Sequence, residues 1–323
     1  MIDVLIHSPF PLQTGQGNSV TADRAESILS KAGFEVQVEG GSHHGEDARC
    51  LVALNARRSA GVVAEFDRAH PGRQIIVVVT GSDINHPQME DECSDTRRTM
   101  ARADALVMLH ETDLEALPAE LRKKAECIFP SVKLRDGMKH RPGSGDRFEV
   151  IMAGNLRAVK NPQLAVEGAR LLAEDSPVFI SSYGDAPAEL AAEMTLACEE
   201  VGHFHWYGKV DHDALMGKMA QAHLLLNTST LEGGANAICE AVTMGLPVVA
   251  SDIRGNIGML GRDYPGLFPS GDASTMADML KRCAEDPSFY GDLKRGVQQR
   301  AALFDFATES FAWTELVRAR LEC

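Results

Sequence analysis

Short apolar runs recur along the chain with room for one helix between successive runs, and no other feature constrains its fold as much. In the first half they fall at residues 2–6, 34–38, 51–54, 75–80, 105–109 and 126–129. Residues 18–31, carrying Val20, Ala25, Ile28 and Leu29, and residues 56–69 read as helices between them. Repeated strand–helix units build a parallel, doubly wound α/β sheet. Such a sheet binds ligands beyond the carboxyl ends of its strands, so useful side chains are expected directly after the runs.

Residues 133–147, KLRDGMKHRPGSGDR, are basic, polar and rich in Gly and Pro, the composition of a linker. The pattern then restarts. Strands are expected at 148–153, 177–181, 203–206, 222–226 and 246–251, and helices at 163–172, 272–283 and 289–304. Residues 306–321 read as an amphipathic terminal helix with Phe311, Trp313, Leu316, Val317 and Leu321 available for packing. The expected organisation is a Rossmann-like domain over 1–140 and a second over 141–305. The helix of 306–323 is expected to pack back towards the first.

A chain of 323 residues with 44% hydrophobic content suffices for two packed domains. Its net charge of −14 argues against nucleic acid or an anionic membrane as the main partner, so any phosphate site must be local. The seven cysteines (50, 93, 127, 198, 239, 283 and 323) are dispersed without a C-x-x-C pair, the pattern of reduced thiols in a cytoplasmic protein. The apolar neighbours of Cys239 mark it as a core thiol rather than a nucleophile. No signal-peptide pattern opens the chain and no apolar run approaches membrane-spanning length. The expectation is a soluble cytoplasmic protein acting on small molecules.

The densest chemistry lies at residues 227–255, NTSTLEGGANAICEAVTMGLPVVASDIRG. Glu232 and Glu240 stand eight apart, with Gly233 and Gly234 after the first. Glu232 is expected in a loop, with a helix opening at Asn236 or Ala237 and Glu240 one to two turns inside it. Glycines let backbone N–H groups approach a ligand, and a helix start suits an anion. Ionised glutamates accept hydrogen bonds only and can hold a vicinal diol. Upstream, GNLRAVKNP places Arg157 and Lys160 after a strand, with Pro162 near the next helix start. A guanidinium fork and an ammonium can converge there on one diphosphate. Lys209 and Val210, after Gly208, lie where backbone could meet a nucleobase edge. No metal-ligand cluster appears, and no cofactor is expected.

In the first half, Gly15-Gln16-Gly17-Asn18 could bring backbone amides and Asn18 to an anion, with Arg24 within two turns. Arg57 and Arg58 open a helix, where their charge opposes the macrodipole unless an anion or an acid answers it. Thr80 and Asp83, within TGSD, and His110 each follow a strand. These positions, Gly17 and Asn18 included, are the candidates for binding an anion or an acceptor.

The stretches GNSVTADR, TGSDI, GNLRAVKNP and EGGANAICEA followed by MGLPVVAS resemble GT-B glycosyltransferases of the GT4 type over nearly the whole chain. That resemblance implies two doubly wound domains facing a cleft. It assigns the donor diphosphate to Arg157 and Lys160, the sugar to Glu232, Gly233 and Gly234, and the ribose to Glu240. LNARRSAGVVAEFDRAHPGRQIIVVVTGSDI, LHETDLEALPAELRKKA, LEGGANAICEAV and RDYPGLFPSGD are similar to the selenosugar synthases of selenoneine biosynthesis. Those enzymes join a sugar from a UDP-sugar, typically UDP-N-acetylglucosamine, to selenium from selenophosphate.

Two departures stand out. Broad GT4 enzymes often have E-x-F-G where this chain has Glu232-Gly233-Gly234-Ala235, and His where Thr80 stands. A missing imidazole fits a nucleophile that arrives already anionic and needs no base. Transfer to a different anionic or thiol acceptor, a UDP-sugar epimerase, and a non-catalytic sugar-nucleotide binder are the alternatives left open by the residues.

Overall fold

The computed structural model describes residues 2–12, 17–41, 47–85, 89–92, 94–135 and 138–322. Gly15, Gln16, Cys93, Cys323 and part of the expected linker lie outside the described residues. The chain divides into two compact units. One comprises Met1–Ser131 with Phe306–Cys323, the other Val132–Asp305. Residues 132–140 group with the second unit. There the His140 N–H donates to the Met244 carbonyl at 3.0 Å, and Arg135 pairs with Asp213.

The first unit is a six-stranded parallel sheet of β1 (Ile2–Ser8), β2 (Val36–Gly40), β3 (Ala48–Leu54), β4 (Gln74–Val79), β5 (Ala105–Met108) and β6 (Ala125–Cys127). Their order is β2-β1-β3-β4-β5-β6. The central strands β4 and β5 are almost wholly apolar because both faces are covered, whereas the edge strands β2 and β6 carry Gln37, Glu39 and Glu126. Val4, Ile6, Cys50, Val52, Ile76 and Val78 face the helix Gly17–Lys31 and the terminal helix Phe306–Leu321. Leu5, Leu51, Ala53, Ile75 and Val77 face the opposite way, against Val63 and Phe66 of the helix Ala60–Ala69. Successive strand residues alternate between these two cores, as the pleat requires.

The terminal helix docks into its core through Trp313, Leu316 and Val317. It is clamped by Glu309, which takes the Arg24 guanidinium at 2.9 Å and the Ser131 N–H at 2.8 Å. Phe311, expected to pack, is instead 70% exposed because it lies on the outer side of that helix.

The second unit repeats the architecture with β7 (Phe148–Ala153), β8 (Val178–Tyr183), β9 (Phe204–Trp206), β10 (Leu224–Asn227), β11 (Val248–Ser251) and β12 (Leu267–Phe268). The order β12-β11-β10-β7-β8-β9 makes β7 and β10 neighbours from which successive strands run outward in opposite directions. That reversal opens a crevice between the loops leaving β7 and β10, where doubly wound sheets bind their ligands. No helix among the described residues is long and apolar enough to cross a membrane.

Candidate active site

The loop leaving β7 is held by close backbone packing. Gly154 and Gly184 both take positive φ, +128° and +146°. A Cβ on Gly184 would lie 2.0 Å from the Gly154 carbonyl oxygen, so only glycine fits there. The chain then makes a tight turn over Ala158–Lys160, passes through a left-handed Asn161 (φ 46°), and enters the helix Pro162–Arg170. Proline at the first helical position needs no partner for its missing N–H. The loop leaving β10 joins this turn. Thr230 N–H donates to the Val159 carbonyl and the Thr228 hydroxyl to that of Lys160, each at 2.8 Å.

This joining brings Lys160 Nζ to 2.5 Å from Glu232 Oε1. The same oxygen accepts from Ser229 Oγ at 2.6 Å and from Asn227 Nδ2 at 3.4 Å. Burial would raise the Glu232 pKa, yet the Lys160 charge and these hydrogen bonds hold it below the ordinary carboxylate range. Glu232 Oε2 accepts no hydrogen bond among the described residues.

Behind the loop, Asn256 is fully buried and donates to Asn227 Oδ1 at 3.2 Å and to the Ser251 carbonyl at 3.0 Å. With Asn227 Oδ1 so engaged, its Nδ2 is turned towards Glu232. In the sequence Gly255 and Asn256 merely follow a strand end; their contact with this loop is tertiary.

After Glu232, Gly233 and Gly234 are half-buried and lead to the helix Asn236–Met244. Ala235 caps this helix without a side-chain hydrogen bond, and the first turn contains no acid. The N–H groups of Asn236 and Ala237 therefore open on a positive helix end. Ile238, Cys239, Ala241 and Val242 are buried, seating the helix, and Cys239 is a core thiol. Glu240 stands one turn inside, and its Oε1 is 2.8 Å from His212 Nε2. That hydrogen bond is the main reason the His212 pKa is raised. Nothing in the sequence draws attention to His212, whose contact spans 28 residues.

Arg157 is exposed and has no ion-pair partner among the described residues. Lys209 is exposed and Val210 half-buried. They follow a left-handed Gly208, whose carbonyl accepts the Gly184 N–H at 2.9 Å. The second unit thus gathers Lys160, Glu232, Gly233, Gly234, Asn236, Ala237 and Glu240 around one helix start.

The candidates of the first unit are not gathered in the same way. Gly17 and Asn18 open the helix Gly17–Lys31, with Gly17 exposed and Asn18 half-buried. Arg24 is engaged with Glu309 at 2.9 Å, so its charge anchors the terminal helix. The expected helix over 56–69 becomes regular only at Ala60, because Asn55 takes a left-handed φ of 68°. An acid does answer the chain at Arg57, but through the backbone. The Asp83 carboxylate accepts the N–H groups of Ala56 and Arg57 at 3.0 and 3.1 Å, and the Thr80 hydroxyl at 3.0 Å. Burial nevertheless raises the Asp83 pKa.

The guanidiniums remain uncommitted to Asp83. Arg57 Nε is buried without a partner among the described residues, while the exposed Arg58 lies 4.9 Å over the Phe10 ring. His110 is fully buried, with Nε2 3.2 Å from Asp113 Oδ2 and Nδ1 accepting the Asp113 N–H at 3.3 Å. It caps a helix instead of presenting an imidazole to solvent.

Residues 147–286 match the family described as Glycosyl transferases group 1. Among curated proteins, the chain is 22% identical over 317 residues to Glycosyltransferase 1 domain-containing protein 1 of Xenopus tropicalis, covering 90% of this chain and 89% of that protein. Among solved structures, Anabaena Alr3699/HepE in complex with UDP and glucose superposes with a TM-score of 0.76 at 16% identity, covering 99% and 100% of the two chains. Sucrose-phosphate synthase of Thermosynechococcus elongatus superposes with a TM-score of 0.78 at 15% identity, covering 99% of each. The structural matches show the GT-B fold, and the family match covers less than half of the chain.

Proposed function

We propose that this protein transfers a sugar, N-acetylglucosamine, from its UDP derivative to the selenium of selenophosphate, releasing UDP and forming a selenosugar. The observation that carries the transferase part is the Lys160–Glu232 contact at 2.5 Å beside the uncapped start of the helix Asn236–Met244. A fixed cation, free backbone amides and an acceptor-only carboxylate are the groups needed to hold a diphosphate next to a sugar. The Anabaena neighbour, which holds UDP and glucose, supports a uridine nucleotide as the leaving group. The selenium and the N-acetylglucosamine rest on the sequence stretches similar to selenosugar synthases.

On this reading, the bond between the anomeric carbon and the β-phosphate oxygen breaks, and its electron pair leaves on UDP. Lys160, Arg157 and the amides of Asn236 and Ala237 stabilise the charge that develops there, the kind of preorganised stabilisation that lowers barriers most. Glu232 holds sugar hydroxyls through Oε2, and Glu240 holds the ribose diol. Selenium forms the new bond to the anomeric carbon, and water then splits the phosphorus–selenium bond to give phosphate and the selenosugar. The nucleophile is already an anion, so no general base is required, in keeping with Thr80 and with a His110 sealed in the core. Arg57 and Arg58 are the groups proposed to receive the selenophosphate, and no metal is needed for charge neutralisation.

The test is UDP release from UDP-N-acetylglucosamine on addition of selenophosphate. Release only when both are present supports the proposal. Release with a thiol or another anion but never with selenophosphate removes the selenium while keeping the transferase. A change in the sugar without a second substrate indicates an epimerase.

A further inference from the structure

Glu232 and Glu240 are held in very different ways. Glu232 is fixed by three partners from the loops around it, Lys160, Ser229 and Asn227. Glu240, with only 11% of its side chain exposed, has one side-chain partner among the described residues, His212 at 2.8 Å. His212 opens the helix Gly-free at its first turn, His212–Gln221, and 66% of its side chain faces solvent. Its neighbour Asp213 is occupied by Arg135. A single contact from so exposed a residue adds little to folding. It does fix which way a buried, otherwise unrestrained carboxylate points. Because Nε2 takes only one lone pair of Oε1, the other lone pair and the whole of Oε2 stay available to two O–H donors.

Building on the ribose role proposed for Glu240, we infer that His212 is a positioning residue that sets the donor site's demand for an intact ribose diol. It holds Glu240 so that both the 2′- and 3′-hydroxyls are met at once. Without it, the carboxylate can rotate to serve one hydroxyl, and the site loses its preference for a ribonucleotide over its 2′-deoxy analogue. Specificity that comes from a fixed acceptor is lost when the acceptor is released, even though the acceptor itself remains.

The experiment compares binding of UDP and 2′-deoxy-UDP by calorimetry to the full-length protein and to His212→Ala, His212→Gln and Glu240→Ala. The wild type is expected to prefer UDP by about tenfold or more, and His212→Ala to keep no more than about a twofold preference. His212→Gln, whose amide N–H can reach Oε1, is expected to restore the preference. In turnover, the His212→Ala defect is expected in KM for the UDP-sugar rather than in kcat. Wild-type preference in His212→Ala, or failure of glutamine to restore it, overturns the inference. If Glu240→Ala keeps the full preference, the ribose role of Glu240 falls as well, which separates that failure from a failure confined to His212.

Discussion

Gly255 lies directly against the backbone of Glu232. A Cβ built on Gly255 would sit 2.5 Å from the Glu232 carbonyl oxygen and 2.8 Å from its carbonyl carbon. Backbone on both sides leaves no flexible side chain to yield. Gly255→Ala is therefore expected to displace the Glu232 loop, costing about 1–3 kcal/mol of stability. The displacement should lower turnover well beyond that loss, because a small misplacement at a reacting centre is costly. Thermal unfolding and kcat measured on the same preparation check this. Wild-type kcat in a folded variant would show that the glycine does not position Glu232.

Lys160 carries a pH signature. The Glu232 pKa is lowered in the folded protein, so its pairing contributes stability above the unfolded value of about 4.3. That contribution is lost as pH falls through the lower, folded value. In Lys160→Met, burial is opposed only by the Ser229 and Asn227 hydrogen bonds, and the shift is expected to reverse. Stability is then lost as pH rises from about 4.3 through the raised folded value. Urea midpoints should therefore separate wild type from Lys160→Met widely at pH 7 and only slightly near pH 4. An equal gap at both pH values would contradict the pairing. Turnover in the variant is expected to fall roughly 100- to 1,000-fold.

Arg24 and Glu309 form a buried pair, with side chains 12% and 2% exposed. Removing one partner leaves the other charged and uncompensated. Glu309→Ala is expected to cost roughly 3–5 kcal/mol and to loosen the terminal helix. Denaturant unfolding measures the loss, and hydrogen exchange over Phe306–Leu321 locates it.

Arg57, half-buried, and Arg58, exposed, follow β3, and among the described residues neither guanidinium is taken by Asp83. The double variant Arg57→Ala/Arg58→Ala is expected to raise KM for selenophosphate about tenfold or more, leaving UDP affinity unchanged. Normal dependence on selenophosphate would move the acceptor site elsewhere.

With charge neutralisation assigned to Lys160, Arg157 and backbone amides, turnover is expected to persist in EDTA. Loss of activity that returns on adding a divalent cation would assign part of that task to a metal.

The strands other than β12, and the motifs at their ends, were readable because a sheet covered on both faces leaves long apolar runs. Glu232 in a loop and Glu240 one to two turns into a helix followed from Gly233, Gly234 and the run of residues after them that can open a helix. Tertiary pairing was not readable. Arg24 looked available for an anion, and its partner Glu309 lies 285 residues away. His110 looked like a site residue, and only burial reveals it as a helix cap. His212 looked like any solvent-facing histidine until the fold set it against Glu240. Arg57 looked set at a helix start, but the regular helix opens only at Ala60, and Asp83 takes the N–H groups of Ala56 and Arg57 rather than a guanidinium.

The most direct measurement is a crystal structure of the protein soaked with UDP. The diphosphate is expected at Lys160 and the first-turn amides of Asn236 and Ala237, with the ribose hydroxyls on Glu240. A nucleotide bound anywhere else, with Lys160 still paired to Glu232 and the helix start empty, would contradict the proposed site.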